Sequence, residues 1–109
     1  MNPKDRKILT GILEFAYKVK RRMSGVPLKE FLDNDDLQEA VLYALGQMGE
    51  KVNHLSENFK EAYPRREWYG LIGLRNRVFH SYEDISMETI FEAALRIDDV
   101  IELLCGLLE

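Results

Sequence analysis

The sequence predicts an all-α fold, an antiparallel up-and-down bundle of four long helices and one short helix. Three observations predict it. Apolar residues recur at three- and four-residue spacing through most of the chain, the period of a helix with one buried face. No segment shows the strict alternation of a half-buried strand. Breakers are few, so connections are brief, which favours antiparallel neighbours. With 109 residues there is room for one domain and one core, residues 1–109.

The first helix is expected from about Asp5 to Met23, with Ile8, Ile12, Phe15 and Val19 as its buried stripe. Ser24-Gly25-Val26-Pro27 ends it, because Gly25 supplies a left-handed turn and Pro27 cannot continue a helix. Leu28, Phe31 and Leu32 fit one short helix. Asp35 is the expected cap of a third helix whose face is Leu37, Val41, Ala44, Met48, Val52 and Leu55. Pro64 opens the fourth, carrying Trp68, Leu71, Ile72, Leu74, Val78 and Phe79. Ser86 caps the last, with Ile90, Ala94, Ile97, Ile101, Leu104 and Leu108 inward.

Composition narrows the classes of function. A hydrophobic fraction of 46% is that of a folded chain rather than a disordered one. No apolar run approaches the roughly 18–20 residues that cross a bilayer. The polar start, Met1 to Arg6, leads into no export signal, so a cytoplasmic protein with no membrane partner is expected. Cys105, the single cysteine, lies among leucines and reads as a buried thiol in a reducing compartment. The net charge of −4 argues against a general nucleic-acid binder. It leaves room for a local basic segment: Lys60, Arg65, Arg66, Arg75 and Arg77 stand against only Glu61 and Glu67.

The fourth helix breaks its own pattern. On a wheel of about 100° per residue, Arg75 falls within the apolar arc from Trp68 to Phe79, while Tyr69, Gly73, Asn76 and His80 gather on the opposite edge. A guanidinium among core residues needs a carboxylate or a phosphate to meet it. Two readings follow. Either Arg75 pairs with a core acid, Glu50 on the neighbouring third helix being a fair partner, or it serves a functional site with His80, where the local rule is broken for chemistry. Five residues separate Arg75 from His80, so an ideal helix points them roughly 140° apart. They converge on one substrate only if the helix loosens near His80 or a second chain closes the site.

No metal site or cofactor is expected. His54 has no His or Cys partner at ligand spacing, and Glu50 with His54, four apart, reads as a surface pair before it reads as two ligands. Gly70 and Gly73 lie inside a helix rather than in a phosphate loop, where they are expected to permit close helix packing.

Arg75-Asn76, three residues and then His80 resembles the R-N-x-x-x-H signature of the HEPN superfamily, and Ser81-Tyr82 extends it to the R-x-x-x-x-H-x-Y form of HepT-like toxins. Glu30 to Asp33, Leu37 to Val41, Gly49-Glu50 and Gly73 to Arg77 resemble that family's landmarks in the same order. The resemblance implies a dimeric HEPN-like bundle. Two copies of the motif would face each other across a cleft that cleaves RNA without a metal. It implies Arg75 and His80 as catalytic residues, Asn76 in support, and a toxin of a type VII-like toxin–antitoxin pair. The implied partner is a minimal nucleotidyltransferase antitoxin that silences the toxin by transferring AMP to Tyr82. Arg65, Arg66 and Arg77 are the candidate RNA contacts beside the motif. Two other readings stay open: a non-catalytic HEPN subunit that partners a nucleotidyltransferase, and a structural helical dimer in which Arg75 is only an ion-pair partner.

Overall fold

The computed structural model describes residues 1–80 and 82–109, and of Tyr82 the backbone only. Seven α-helices occur in the order α1 (Pro3–Met23), α2 (Leu28–Leu32), α3 (Asp35–Asn53), α4 (Glu57–Ala62), α5 (Arg66–His80), α6 (Met87–Leu95) and α7 (Ile97–Leu108), with a 3-10 turn at Tyr82–Asp84 and no strand among the described residues. The all-α expectation holds.

Side-chain pairings give the topology. Asp5 meets Ser56, Gly11 lies against Lys51 and Phe15 against Tyr43, so α1 runs antiparallel to α3. Arg6 reaches Leu108, Tyr17 reaches Cys105 and Lys20 reaches Asp98, so α1 also runs antiparallel to α7. Gly46 faces Phe79 and Val78 while Gly49 faces Arg75 and Leu71, which makes α3 and α5 antiparallel too. The spatial order is therefore α7, α1, α3, α5, with α2 and α6 packed together at the end of α3. Every helix contributes to one apolar cluster, from Leu9 on α1 to Leu104 on α7.

The boundaries follow from local chemistry. Asn2 caps α1 by accepting from Asp5 N at 2.7 Å, and Gly25 takes a positive φ of 73° just beyond its end, a conformation that costs a residue without Cβ little. Ser86 caps α6, as expected, and Ser56 caps α4. The cap of α3 is Asn34 rather than Asp35: its side chain accepts from Leu37 N at 3.0 Å, and Asp35 enters the first turn. There its charge favours the helix N-terminus.

Other expectations shift. Helix α4 was not expected, because a six-residue helix with Phe59 as its single buried residue has no stripe to read. The last helix is two, broken at Arg96, where i→i+3 bonds to Ala93 O and from Asp99 N tighten the turn. The apolar stripe stays in phase across the break: Ile90, Ala94, Ile97, Ile101 and Leu104 are all buried. Periodicity therefore reads α6 and α7 as one element. On α1 the buried line is Asp5, Leu9, Ile12, Ala16 and Val19, with Ile8 and Phe15 at its edge. Pro64 precedes α5, which begins at Arg66 after Trp68 N bonds to Arg65 O. No helix among the described residues is long and apolar enough to cross a membrane.

Candidate active site

The site is built where α3 and α5 come closest. Gly49 makes the approach: a Cβ there would overlap the Leu71 carbonyl oxygen and stand 2.5 Å from Arg75 Cβ. Without a side chain, α3 lets the backbone of α5 lie against it. The next residue, Glu50, then meets Arg75.

Arg75 is held on three sides. Its Nε donates to Glu50 Oε2 at 2.6 Å, its Nη1 donates to Asn76 Oδ1 at 2.9 Å, and its guanidinium carbon lies 4.7 Å from the centre of the Phe79 ring. Such stacking and forked hydrogen bonding suit arginine's planar head. Among the described residues two of its five N–H groups are used, and Nη2 and one N–H of Nη1 remain for another acceptor. The Glu50 carboxylate is shared, since its Oε1 lies 3.1 Å from His54 Nε2. The Arg75 hydrogen bond holds the Glu50 carboxyl below its ordinary pKa, outweighing burial, with His54 adding to the effect. The acid therefore stays ionised at neutral pH, and the pair is an ion pair.

His80 is placed otherwise. Helix α5 continues through it, so the helix does not loosen there, and the expected divergence from Arg75 of roughly 140° stands. Arg75 turns toward α3, and His80 is exposed. Asn76 is also exposed, and its amide oxygen serves Arg75. Tyr82 begins the 3-10 turn after α5; its side chain, and all of Ser81, lie outside the described residues.

The basic segment is not gathered at this site. Arg65 and Arg66 lie some nine or ten residues before Arg75, roughly 14 Å along the axis. Arg65 bonds to the Pro64 carbonyl, and Arg66 leans on Glu67 at 3.6 Å. Arg66 lines a groove of about 640 Å³ between α5 and the α6–α7 junction, with Leu71, Leu74, Arg96 and Val100. Arg77 is exposed near His80. A second groove, of about 460 Å³, lies between α1 and α3. Neither groove includes Arg75 or His80 in its lining.

Two expectations for α5 are corrected. Phe79 was expected in the core and is 46% exposed: Leu74 and Val78 keep the inner side of these turns against the core, and the Phe79 ring lies against Gly46 and the Arg75 guanidinium. Gly70 and Gly73 were expected to permit close packing, yet a Cβ at either would meet nothing within 4 Å. Gly46 and Gly49 supply the close packing instead. Spacing in the sequence offers Glu50 as a partner for Arg75 and sets it beside His54. It does not show that one carboxylate serves both, nor that Gly49 sets the distance.

The chain is an all-helical bundle with a clamped arginine on α5 and an exposed histidine five residues on. The family model for "Ribonuclease HepT-like" matches residues 12–105, and the chain belongs to that family. Curated relatives agree. The protein named "Putative RNase MJ0127" from Methanocaldococcus jannaschii is 33% identical over 90 residues, covering 83% of this chain and 74% of the relative. A second from that organism, "Putative RNase MJ1380", is 34% identical over 83 residues, 75% of this chain and 76% of its own length. "Putative RNase TTE0752" from Caldanaerobacter subterraneus is 26% identical over 91 residues, 84% of this chain and 81% of its own. No solved structure matches the chain significantly.

Proposed function

We propose that this protein is a cytoplasmic, metal-independent RNA endonuclease. In this reading it is the toxin of a toxin–antitoxin pair, working as a homodimer whose facing Arg75 and His80 residues cut RNA. The observation that carries the reading is the state of Arg75: oriented by Glu50, Asn76 and Phe79, yet with donors left over for a phosphate.

The chemistry needs only these groups. The ribose 2′-OH attacks the adjacent phosphorus, and one His80 removes its proton. The bond to the 5′-oxygen breaks, and a second His80 returns a proton to that leaving oxygen. The products are a cyclic 2′,3′-phosphate and a free 5′-OH. Imidazole suits both tasks because it titrates near neutral pH. Arg75 neutralises charge developing on the equatorial phosphate oxygens through its free N–H edge. One observation supports a second copy: α5 stays helical through His80, leaving the two side chains divergent.

Silencing by AMP transfer to Tyr82 fits the same layout, since Tyr82 follows His80 by two residues. An added nucleotide would bring bulk and negative charge beside the phosphate site. The partner in this reading is the cognate minimal nucleotidyltransferase. Incubating the two proteins with ATP should add one AMP to the peptide containing Tyr82, read by mass spectrometry; modification confined to other residues refutes this role.

One observation favours a second reading. The Arg75–Glu50 pair is what a purely structural arginine would form. The two readings part on Arg75→Ala. Glu50 is about a third exposed and keeps His54, so the substitution leaves no buried orphan acid and should scarcely lower the melting temperature. On the nuclease reading the wild type cleaves RNA in EDTA, the Arg75→Ala variant does not, and cells expressing the variant escape growth arrest. Cleavage and arrest that both survive the substitution would leave Arg75 as an ion-pair partner alone.

A further inference from the structure

Beyond the motif, the face formed by α1, α3 and α5 alternates exposed rings with cations. Phe79, 46% exposed, lies beneath the Arg75 guanidinium and 3.4 Å from where a Cβ of Gly46 would stand. One turn back along α3 is Tyr43, 62% exposed. Its ring meets Phe15 of α1 edge-on, with centroids 6.1 Å apart. The Phe15 ring has two ammonium groups near it, Lys18 at 5.0 Å and Lys51 at 6.0 Å. Lys51 folds into the notch left by Gly11, 3.2 Å from the position a Cβ would take. The groove of about 460 Å³ then continues past Lys7 and Thr10.

We propose that this face is a single-stranded RNA track leading to Arg75, with Tyr43 and Phe79 as base-stacking platforms and Lys7, Lys18 and Lys51 as phosphate contacts. The proposal rests on the nuclease reading and assigns its substrate path. Exposed rings interleaved with cations are what a single strand needs, since every base has a face to stack and every link a phosphate to neutralise. The charge fits that occupant. None of Lys7, Lys18 and Lys51 has a carboxylate within 4.0 Å among the described residues. With Arg75 they make four cations against Glu14, which lines the groove, Glu39, exposed one turn before Tyr43 on α3, and Glu50, which Arg75 and His54 already engage. On a chain with net charge −4, that is a local excess of cations. An uncharged partner would gain from the rings but not from the lysines, whereas a single strand uses both.

The test is equilibrium binding of a fluorescent single-stranded RNA to full-length protein in a His80→Ala background, so that the probe survives. Tyr43→Ala should weaken binding about tenfold. Lys18→Glu and Lys51→Glu should weaken it and lower the salt slope by roughly 0.7 for each lost phosphate contact. Lys29→Glu, an exposed charge reversal on α2, should leave both unchanged. Equal affinity for all variants overturns the track while leaving the nuclease reading intact. Wild-type protein that binds through these residues but never cleaves breaks the nuclease reading and keeps the track. A parent that binds no RNA removes both. If Tyr43→Ala instead changes the sedimentation coefficient, the face is an interface between protein chains and the proposal fails.

Discussion

Two charged residues in this bundle sit on apolar helix stripes, and they are satisfied differently. Asp5 on α1 is 2% exposed, and its carboxylate is taken up within the chain. One oxygen accepts from Ser56 N at 2.9 Å and the other from Ser56 Oγ at 2.7 Å. Burial alone would raise its pKa, but the hydrogen bonds from Ser56 outweigh that and bring it below its ordinary value. Arg75 on α5 is 22% exposed and, among the described residues, keeps donors unspent after meeting Glu50 and Asn76. The comparison teaches how to read a polar residue on a core face. Where the fold consumes its hydrogen-bonding capacity, the residue joins elements; where capacity remains and faces solvent, it can meet a ligand.

The largest expected effects break the comparison on the functional side. His80→Ala should reduce RNA cleavage by about 10²–10⁴-fold, the usual worth of a general acid or base. Arg75→Ala should reduce it by about 10²–10³-fold, as for loss of one preorganised donor to developing charge. Both variants should melt close to wild type. An Arg75→Ala protein that melts as poorly as Asp5→Ala would erase the distinction.

On the structural side, Asp5→Ala strands the Ser56 N–H and hydroxyl in a part-buried corner. It should cost about 1–3 kcal/mol for each group left unsatisfied, measured by chemical denaturation, with cleavage per folded molecule unchanged. Gly49→Ala should act on both sides. Overpacking against the Leu71 carbonyl costs about 1–3 kcal/mol, and pushing α5 outward separates Arg75 from Glu50, so cleavage should fall as well. A Gly49→Ala protein with full activity would show that the clamp does not need this approach.

The smallest effects lie in acid. Asp5 and Glu50 both have folded pKa values below their ordinary ones, 3.8 for Asp5 and 4.5 for Glu50. Each therefore contributes stability that is fully present above its ordinary value and is lost as pH falls through the depressed folded one. Asp5→Asn should flatten the stability profile below about pH 4. Glu50→Gln should flatten it less, because Glu50 is about a third exposed and solvent screens its pair.

Much of this architecture is legible in one dimension. The stripes on α3 and the α6–α7 pair come from spacing alone, as do the end of α1 at Gly25 and the cap at Ser86; on α1 spacing finds Ile12 and Val19 but takes Ile8 and Phe15 where Leu9 and Ala16 are buried. Helix α4 escapes because one buried phenylalanine makes no period, and the Arg96 break because the stripe keeps its phase. At the site, the wheel locates Arg75 on the apolar arc, and the i,i+4 relation joins Glu50 to His54.

What the sequence by itself determined is the helical class, the faces that turn inward, and the divergence of Arg75 from His80, all consequences of a fixed rotation per residue. Only the tertiary structure decided which charge is consumed. Asp5 is satisfied by a serine 51 positions away, and Arg75 is clamped because Gly49 lets α5 approach α3. It also turned Phe79 outward and left Gly70 and Gly73 facing open space. Periodicity reports which side of a helix is apolar. It carries no information about how far along that side a neighbouring helix extends, and that distance sets what a charged residue meets.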